Sequence, residues 1–137
     1  MLKKSTILGV PFTSGSVKML LDQALEGGLV VVPSGPGLAV DLTRNNDYRE
    51  AITRADMAIT DSGAMVLFWL LFRGKRIRRV SGLNFLKAIL EREGLKDGGQ
   101  TFWVHPTPSQ QSINQTWLKE QGFIIGEKDS YIAPMYP

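Results

Sequence analysis

Short apolar runs alternate with amphipathic stretches along this chain, and that alternation predicts its fold. The run at residues 29–32 is apolar and β-branched, which is typical of a strand buried on both faces. Residues 57–60, 101–104 and 123–125 predict three further strands. Residues 6–10 are either a first strand or a docking segment.

The segments between these strands have helical periodicity and capping residues, which predict helices there. Ser16 and Thr107 are expected N-caps, and Pro36 and Pro108 suit the first turn of a helix. Residues 47–50 have capping-box spacing, which places a helix start at Asp47. The predicted helices are residues 17–26, 36–44, 47–55, 64–72, 83–93 and 108–120.

Strand–helix alternation with short loops predicts the α/β class, as a Rossmann-like three-layer sandwich with a mainly parallel sheet. A length of 137 residues suits one core, so we expect residues 1–137 to form a single domain. Residues 131–137 are apolar and uncapped, as if the chain stopped before its next element. The fold is therefore expected to be incomplete.

Composition narrows the class of protein. Contents of 43% hydrophobic and 21% charged residues exclude disordered and fibrous proteins. The absence of cysteine excludes disulfides and thiolate metal sites, and a single histidine argues against a histidine-rich one, so no metal is expected. A net charge of +3 favours anionic partners. The longest apolar run has nine residues, against the ~20 of a spanning helix, so no membrane span is predicted.

Candidate chemistry lies where parallel strands end, because ligands of such sheets bind beyond the carboxyl ends. Ser34 and Gly35 follow the first apolar run, where backbone N–H groups can approach an anion, although a plain tight turn fits the pattern better. Asp61 directly follows residues 57–60 and can deprotonate a hydroxyl group. The alternative for Asp61 is an ordinary N-cap, but Ser62 competes for that role and would leave Asp61 free.

A basic loop at residues 73–79 carries five cations in seven residues. It can hold a pyrophosphate or face an anionic bilayer, although a solvated surface is the commoner explanation. The adjoining residues 64–72 are apolar almost all round, which indicates a core helix, a membrane-interface helix or one docked on another chain. The sequence therefore leaves a homo-oligomer as one possible partner arrangement. His105 ends a predicted strand and either donates to a phosphate or caps a turn.

Several ordered blocks resemble the WecG/TagA/CpsF family of glycosyltransferases. Residues 7–12 (Ile-Leu-Gly-Val-Pro-Phe) resemble the family's opening segment. Residues 54–61 (Arg-Ala-Asp-Met-Ala-Ile-Thr-Asp) are similar to its Ala-Asp, strand, Asp-Gly block. Residues 79–84 (Arg-Val-Ser-Gly-Leu-Asn) resemble its Arg-Val-x-Gly-x-Asp block. The resemblance runs from residue 7 to about residue 125 and covers the N-terminal half of the family's fold.

The resemblance implies a Rossmann-like fold and a cofactor-free, metal-independent, inverting transfer. The donor would be a nucleotide sugar, typically UDP-N-acetylmannosamine, and the acceptor a polyprenyl-pyrophosphate-linked sugar at the cytoplasmic face of the plasma membrane. Such a reaction serves surface-polysaccharide or teichoic-acid-type synthesis. Asp61 matches the candidate general base. The expected substrate-binding residues are Ser34, Gly35, Ser62, Gly63, Gly82, Asn84 and His105, and the expected phosphate or lipid contacts are Arg76, Arg78 and Arg79.

Departures from the family pattern suggest a divergent branch with a different donor or acceptor. Val32 stands where the family has threonine, Ser34 where it has asparagine, and Asn84 where it has aspartate. Ser62 replaces the glycine after the aspartate, and His105-Pro106 replaces a glycine pair. The family's second half is missing, so a non-catalytic nucleotide- or anion-binding module is the alternative. A nucleic-acid binder is disfavoured, because the cations form one loop without interleaved aromatic residues.

Overall fold

The computed structural model describes residues 2–135 and confirms a mixed α/β fold of Rossmann-like type with mainly parallel strands. The strands are β1 (Lys3–Ile7), β2 (Val10–Ser14), β3 (Val30–Val31), β4 (Met57–Ile59), β5 (Trp103–His105) and β6 (Ser130–Ile132). The α-helices are α1 (Val17–Leu25), α2 (Leu42–Arg44), α3 (Asn46–Thr53), α4 (Gly63–Arg73), α5 (Gly82–Leu90) and α6 (Pro108–Glu120).

The described residues form two compact units that divide within α5, between Ala88 and Ile89. The first unit contains β1 to β4, and the second contains β5, β6 and α6. Each unit is described by itself below. The expectation of a single domain over residues 1–137 stays a prediction, and residues 136–137 of the expected chain end lie outside the described part.

The first unit is built on a four-stranded sheet in the order β1-β2-β4-β3. β4 lies between β2 and β3 and is parallel to both, whereas β1 pairs antiparallel with β2. The turn between β1 and β2 consists of Leu8 and Gly9, with φ of 53° and 83°. Left-handed conformations at both positions are typical of two-residue hairpins. The single segment predicted at residues 6–10 is therefore wrong, since this turn interrupts it.

The strand predicted at residues 29–32 is also shorter and less buried than expected. β3 has two residues, both half-buried, because it lies at the edge of the sheet and has only β4 as a neighbour. β4 is buried at all three positions. The β-branched run at residues 29–32 thus predicted a strand correctly, but it did not predict that this strand lies at the edge of the sheet.

Two predicted N-caps are confirmed and one is wrong. Ser16 Oγ accepts from Met19 N at 3.3 Å, and Thr107 Oγ1 accepts from Gln110 N at 3.1 Å. α3 is capped not by Asp47 but by Asn45, whose Oδ1 accepts from Tyr48 N at 3.0 Å. Asn45 has the extended backbone that a cap requires, and this places Asp47 inside the first helical turn. The helix predicted at residues 36–44 consists of a π-type turn, Gly37–Asp41, followed by α2.

The interpretation of α4 as a core helix is wrong. None of its residues is fully buried, and four large side chains are more than half exposed: Leu67, Phe68, Leu71 and Phe72. Only Met65 and Trp69 pack against the core of the first unit. That core contains Ile7, Val10, Phe12, Leu38, Leu42, Ile52, Ala58 and Ile77. No helix within residues 2–135 is both long enough and apolar enough to cross a bilayer.

In the second unit β5 pairs in parallel with β6, and α6 connects them. The strand predicted at residues 123–125 is wrong, because those residues form no strand and the partner of β5 is Ser130–Ile132. Phe123 is buried and packs edge-on against Trp103, with ring centroids 5.7 Å apart. The apolar run therefore reflects burial of Phe123 rather than strand pairing.

Phe12 has no exposed surface and lies on β2 in the middle of the first core. We expect Phe12→Ala to lower the free energy of unfolding by about 3–5 kcal/mol, through lost burial and a residual cavity. Urea denaturation followed by circular dichroism measures this change. Phe72→Ala is the matched control, because Phe72 is 81% exposed and its loss should change stability by about 0.5 kcal/mol or less. Equal effects of the two substitutions would contradict this account of the core.

Candidate functional site

Asp61 lies just beyond the carboxyl end of β4, the central parallel strand of the first unit. Its side chain is 35% exposed. Oδ1 accepts a hydrogen bond from the backbone N–H of Gly82 at 3.0 Å, and no described residue donates to Oδ2. The carboxylate is thus oriented through Oδ1, while Oδ2 receives no hydrogen bond from the described residues.

Ser62, and not Asp61, caps the helix that follows. Ser62 Oγ accepts from Met65 N at 3.2 Å, as expected for the N-cap of α4. The interpretation of Asp61 as the ordinary cap of this helix is therefore wrong. The bond from Gly82 shows that Asp61 instead satisfies a backbone N–H in the first turn of α5.

The segment before α5 is fixed to the end of β4 by Thr60. Thr60 has no exposed surface; its hydroxyl donates to the carbonyl of Arg78 at 2.6 Å, and its carbonyl accepts from Val80 N at 3.1 Å. Ile77 and Val80 on the same segment are buried. These contacts anchor a basic loop that has no secondary structure of its own, and they set the position of Arg79.

Arg79 contacts the backbone of Asp61 more closely than its carboxylate. Nε donates to the carbonyl of Asp61 at 2.8 Å, whereas the nearest guanidinium nitrogen lies 3.9 Å from Oδ1. Both side chains are substantially exposed, so this long ion pair contributes little to stability. A Cβ built on Gly63 would lie 3.6 Å from Arg79 Nε, which places the guanidinium beside the first turn of α4. A fixed cation at a helix N-terminus favours an anionic group.

The loop after β3 closes the other side of the same region. Ser34 Oγ accepts from Gly37 N at 3.2 Å, and a Cβ on Gly35 would lie 3.3 Å from Ser62 Oγ. A Cβ on Gly37 would collide with the hydroxyl of Tyr48, so the loop needs glycine there. Burial raises the pKa of the Tyr48 phenol above its ordinary value, and the carboxylate of Asp41 adds to this. Tyr48 therefore stays neutral at physiological pH.

Gly82 permits the close approach of two elements beside the carboxylate. A Cβ at Gly82 would lie 2.6 Å from Cγ1 of Val32 and 3.5 Å from Oδ2 of Asp61. Of the expected substrate-binding residues, Gly82 contacts the Asp61 carboxylate directly. Gly35 lies beside Ser62, which follows Asp61 in the chain, and Gly63 lies beside Arg79. We call this region the carboxyl edge, defined by residues 32–37, 60–63 and 79–82. Asn84 is exposed on the first turn of α5.

Other expected site residues are placed differently. Arg76 and Arg78 are exposed on the basic loop, and Arg78 contacts Thr60 through its carbonyl rather than its guanidinium. His105 belongs to the second unit and is buried there. Its Nδ1 lies 3.3 Å from the side-chain amide nitrogen of Asn114, while Nε2 has no partner among the described residues. A role for His105 in substrate binding stays a prediction.

An apolar groove of about 620 Å³ begins at the carboxyl edge, and sequence analysis did not predict it. Gly35 and Ser62 line its near end. One wall is the hairpin turn at Leu8 and the helical turn at residues 36–39; the other is α4, through Ala64, Met65, Phe68, Trp69, Phe72 and Arg73. These positions recur every three or four residues, which is the spacing of one helical face. That spacing, within a helix too apolar for a solvated surface, is the sequence signal that could have revealed the groove.

Within residues 2–135, no three histidine, aspartate or glutamate side chains group closely enough to hold a metal ion. The carboxyl edge itself offers a partly exposed carboxylate, an adjacent guanidinium and backbone N–H groups.

Comparison with known proteins identifies one family. The family model described as "Glycosyl transferase WecG/TagA/CpsF family" matches residues 5–121 of the 137. The matched range includes Asp61, Arg79 and Gly82. No curated protein matches the chain.

The hydroxyl of Thr60 provides a test of how the carboxyl edge is held together. Thr60→Val should lower the free energy of unfolding by about 1–3 kcal/mol, because it removes a buried donor and leaves the carbonyl of Arg78 unpaired. Thr43→Val is the matched control: the Thr43 hydroxyl also donates to a carbonyl, that of Val40 at 2.9 Å, but on an exposed surface. Thermal and urea unfolding measure both variants. A larger loss in Thr43→Val would contradict the anchoring role of Thr60.

Proposed function

The chain belongs to the WecG/TagA/CpsF family of glycosyltransferases, and on that premise we propose its donor, acceptor and catalytic base. It transfers a sugar of the N-acetylmannosamine type from a UDP-sugar to a polyprenyl-pyrophosphate-linked acceptor, with inversion at the anomeric carbon. Asp61 is the general base. The observation that carries this assignment is the open Oδ2 of Asp61 at the carboxyl end of a central parallel strand.

The proposed step is a single displacement. The acceptor hydroxyl oxygen attacks the anomeric carbon of the donor sugar and gives its proton to Oδ2 of Asp61. The bond between the anomeric carbon and the diphosphate oxygen breaks, and the nucleoside diphosphate leaves with the bonding electron pair. Inversion needs one such displacement, so one carboxylate is enough. A fixed positive group stabilises the charge that develops on the leaving diphosphate.

Comparison with Asp56, at the opposite end of β4, supports Asp61 as the base. Asp56 Oδ2 accepts from Leu29 N at 2.7 Å, and a Cβ on Gly28 would lie 2.8 Å from the same oxygen. Asp56 is thus committed to the loop before β3 and lies away from the carboxyl ends. Asp61 follows the other end of the same strand, and its Oδ2 accepts no hydrogen bond from residues 2–135.

Arg79 is the best supported of the three proposed phosphate contacts. Its guanidinium is fixed by the carbonyl of Asp61 and lies beside the first turn of α4. Arg76 and Arg78 are exposed cations farther along the same loop. Their position next to the exposed apolar side chains of α4 suits a peripheral contact with the anionic inner face of the plasma membrane.

Two departures from the family pattern lie close to the proposed reacting groups. The side chain of Val32 occupies the space above Gly82, next to Asp61, where a threonine would offer a hydroxyl. Asn84 is the third residue of α5 and offers an amide in place of a carboxylate. One change removes a hydroxyl from the carboxyl edge and the other a charge just beyond it, and both support a donor or acceptor different from the usual one.

Asp61→Asn tests the base assignment with little change in shape. Asparagine can still accept the bond from Gly82 N but cannot take a proton, so turnover should fall by roughly 10²–10⁴-fold. The assay supplies a panel of UDP-sugars with polyprenyl-pyrophosphate-linked N-acetylglucosamine and measures lipid-linked product. Asp47→Asn, an exposed carboxylate in the first turn of α3, is the matched control and should keep full turnover.

Undiminished turnover in Asp61→Asn would remove Asp61 as the base. Binding of a nucleotide sugar without product formation for any donor in the panel would favour the alternative of a non-catalytic nucleotide-binding module.

A further inference from the structure

We infer that the apolar groove along α4 is the binding site for the isoprenoid chain of a polyprenyl diphosphate, whose diphosphate lies at the end of the groove near Arg79. The choice of ligand rests on the proposed function. The choice of site rests on the shape, lining and charge of the groove itself.

The size and lining of the groove suit an aliphatic ligand. Its volume of about 620 Å³ falls within the ~300–1,000 Å³ of ligand pockets. Its α4 wall presents Met65, Phe68, Trp69 and Phe72, which are aromatic or flexible apolar side chains. Such side chains adapt to a branched hydrocarbon without specific hydrogen bonds.

The length and direction of the groove suit an extended chain. The lining positions on α4 run from Ala64 to Arg73, a span of nine residue steps, which is roughly 14 Å of helix at ~1.5 Å per step. The near end reaches Ser62 and Gly35, next to Asp61. A linear amphiphile in the groove would therefore bring its polar head to the carboxyl edge.

Charge at the near end complements a diphosphate. Arg79 Nε lies 3.6 Å from the Cβ position of Gly63, at the start of an eleven-residue helix. Arg79 donates to one carbonyl but keeps a 58% exposed side chain with further N–H groups available. At the far end the guanidinium of Arg73 lies 5.5 Å from the Trp69 ring centroid, over an aromatic wall. The groove thus has a cation near each end, and Arg79 is the one placed to meet the diphosphate.

Exposure on α4 distinguishes the groove from a general apolar surface. Phe68 and Phe72 line the groove and are 57% and 81% exposed. Leu67 and Leu71 are similarly exposed, at 55% and 68%, but lie outside it. A bilayer or a second copy of the chain would use all four side chains, whereas a single isoprenoid chain would use only the phenylalanines.

The test compares two paired variants of the full chain: Phe68→Ser with Phe72→Ser, and Leu67→Ser with Leu71→Ser. Calorimetry measures binding of geranylgeranyl diphosphate below its micellar concentration, with inorganic pyrophosphate as the head-group control. Geranylgeranyl diphosphate should bind at least about tenfold more tightly than pyrophosphate, because the chain buries apolar surface. The phenylalanine pair should lose that gain, and the leucine pair should keep it. All four residues are exposed, and thermal melting verifies that both variants fold.

Three results would overturn the proposal. Equal affinity for pyrophosphate and geranylgeranyl diphosphate would show that the groove does not take the chain. Equal losses in the two variants would show that the isoprenoid chain binds the apolar surface of α4 in general and not the groove. A wild-type dimer in sedimentation that the phenylalanine pair dissociates, without any isoprenoid binding, would favour a second copy as the occupant.

The groove proposal can fail or succeed independently of the proposed function, because these binding measurements need no nucleotide sugar. Isoprenoid binding that depends on Phe68 and Phe72, without sugar transfer, would retain the groove and reject the transferase proposal. Sugar transfer that is indifferent to Phe68, Phe72 and acceptor chain length would retain the transferase and reject the groove.

Discussion

The pair of hydrogen bonds between Thr60 and the segment at residues 78–80 is the constraint on which the carboxyl edge depends. It joins the end of the central strand to a loop with no regular structure. Because that loop continues into α5, the same two bonds position both Arg79 and Gly82 relative to Asp61. A buried hydroxyl with a satisfied partner is stable, whereas an unpaired one is costly, so this arrangement is held firmly. The orientation of the carboxylate is thus a consequence of packing beneath it.

On the other side of Asp61, α4 is held by few contacts with the core. α4 contacts the core through Met65 and Trp69 and leaves its remaining apolar surface open. Ser62 starts this helix and Gly74, with φ of 62°, ends it, so its limits are set locally and need no tertiary burial. One residue after the rigid carboxylate, the chain therefore presents an apolar groove. This combination is what the proposed function requires: a polar site for a nucleotide-sugar donor beside an apolar surface for a lipid-linked acceptor.

Features that depend on a few neighbouring residues, such as helix caps and strand ends, could be predicted from the sequence. Ser16 and Thr107 were identified as caps, and Ser62 as a competitor of Asp61, because a side-chain oxygen and a nearby N–H are enough to specify the motif. Asp61 was placed at a strand end because β4 has a clear apolar pattern. The hairpin turn was missed because Leu8 adopts positive φ, where glycine, asparagine or aspartate is expected. The edge position of β3 depends on its neighbours, which no single run of residues records. For α4, composition indicates apolar surface but not whether protein, lipid or ligand covers it.

The division of the Asp61 carboxylate into an anchored and an open oxygen explains how the site tolerates its departures from the family pattern. The anchoring donor is the backbone N–H of Gly82, which is present whatever side chains surround it. Val32 can therefore replace a threonine, and Asn84 an aspartate, without releasing the carboxylate. Gly82 itself is constrained, because any Cβ there would meet Val32. Positions such as 32 and 84 can then change with the substrate, while the backbone N–H of Gly82 keeps the proposed base in place. Substrate divergence and a constant reaction are then compatible within one fold.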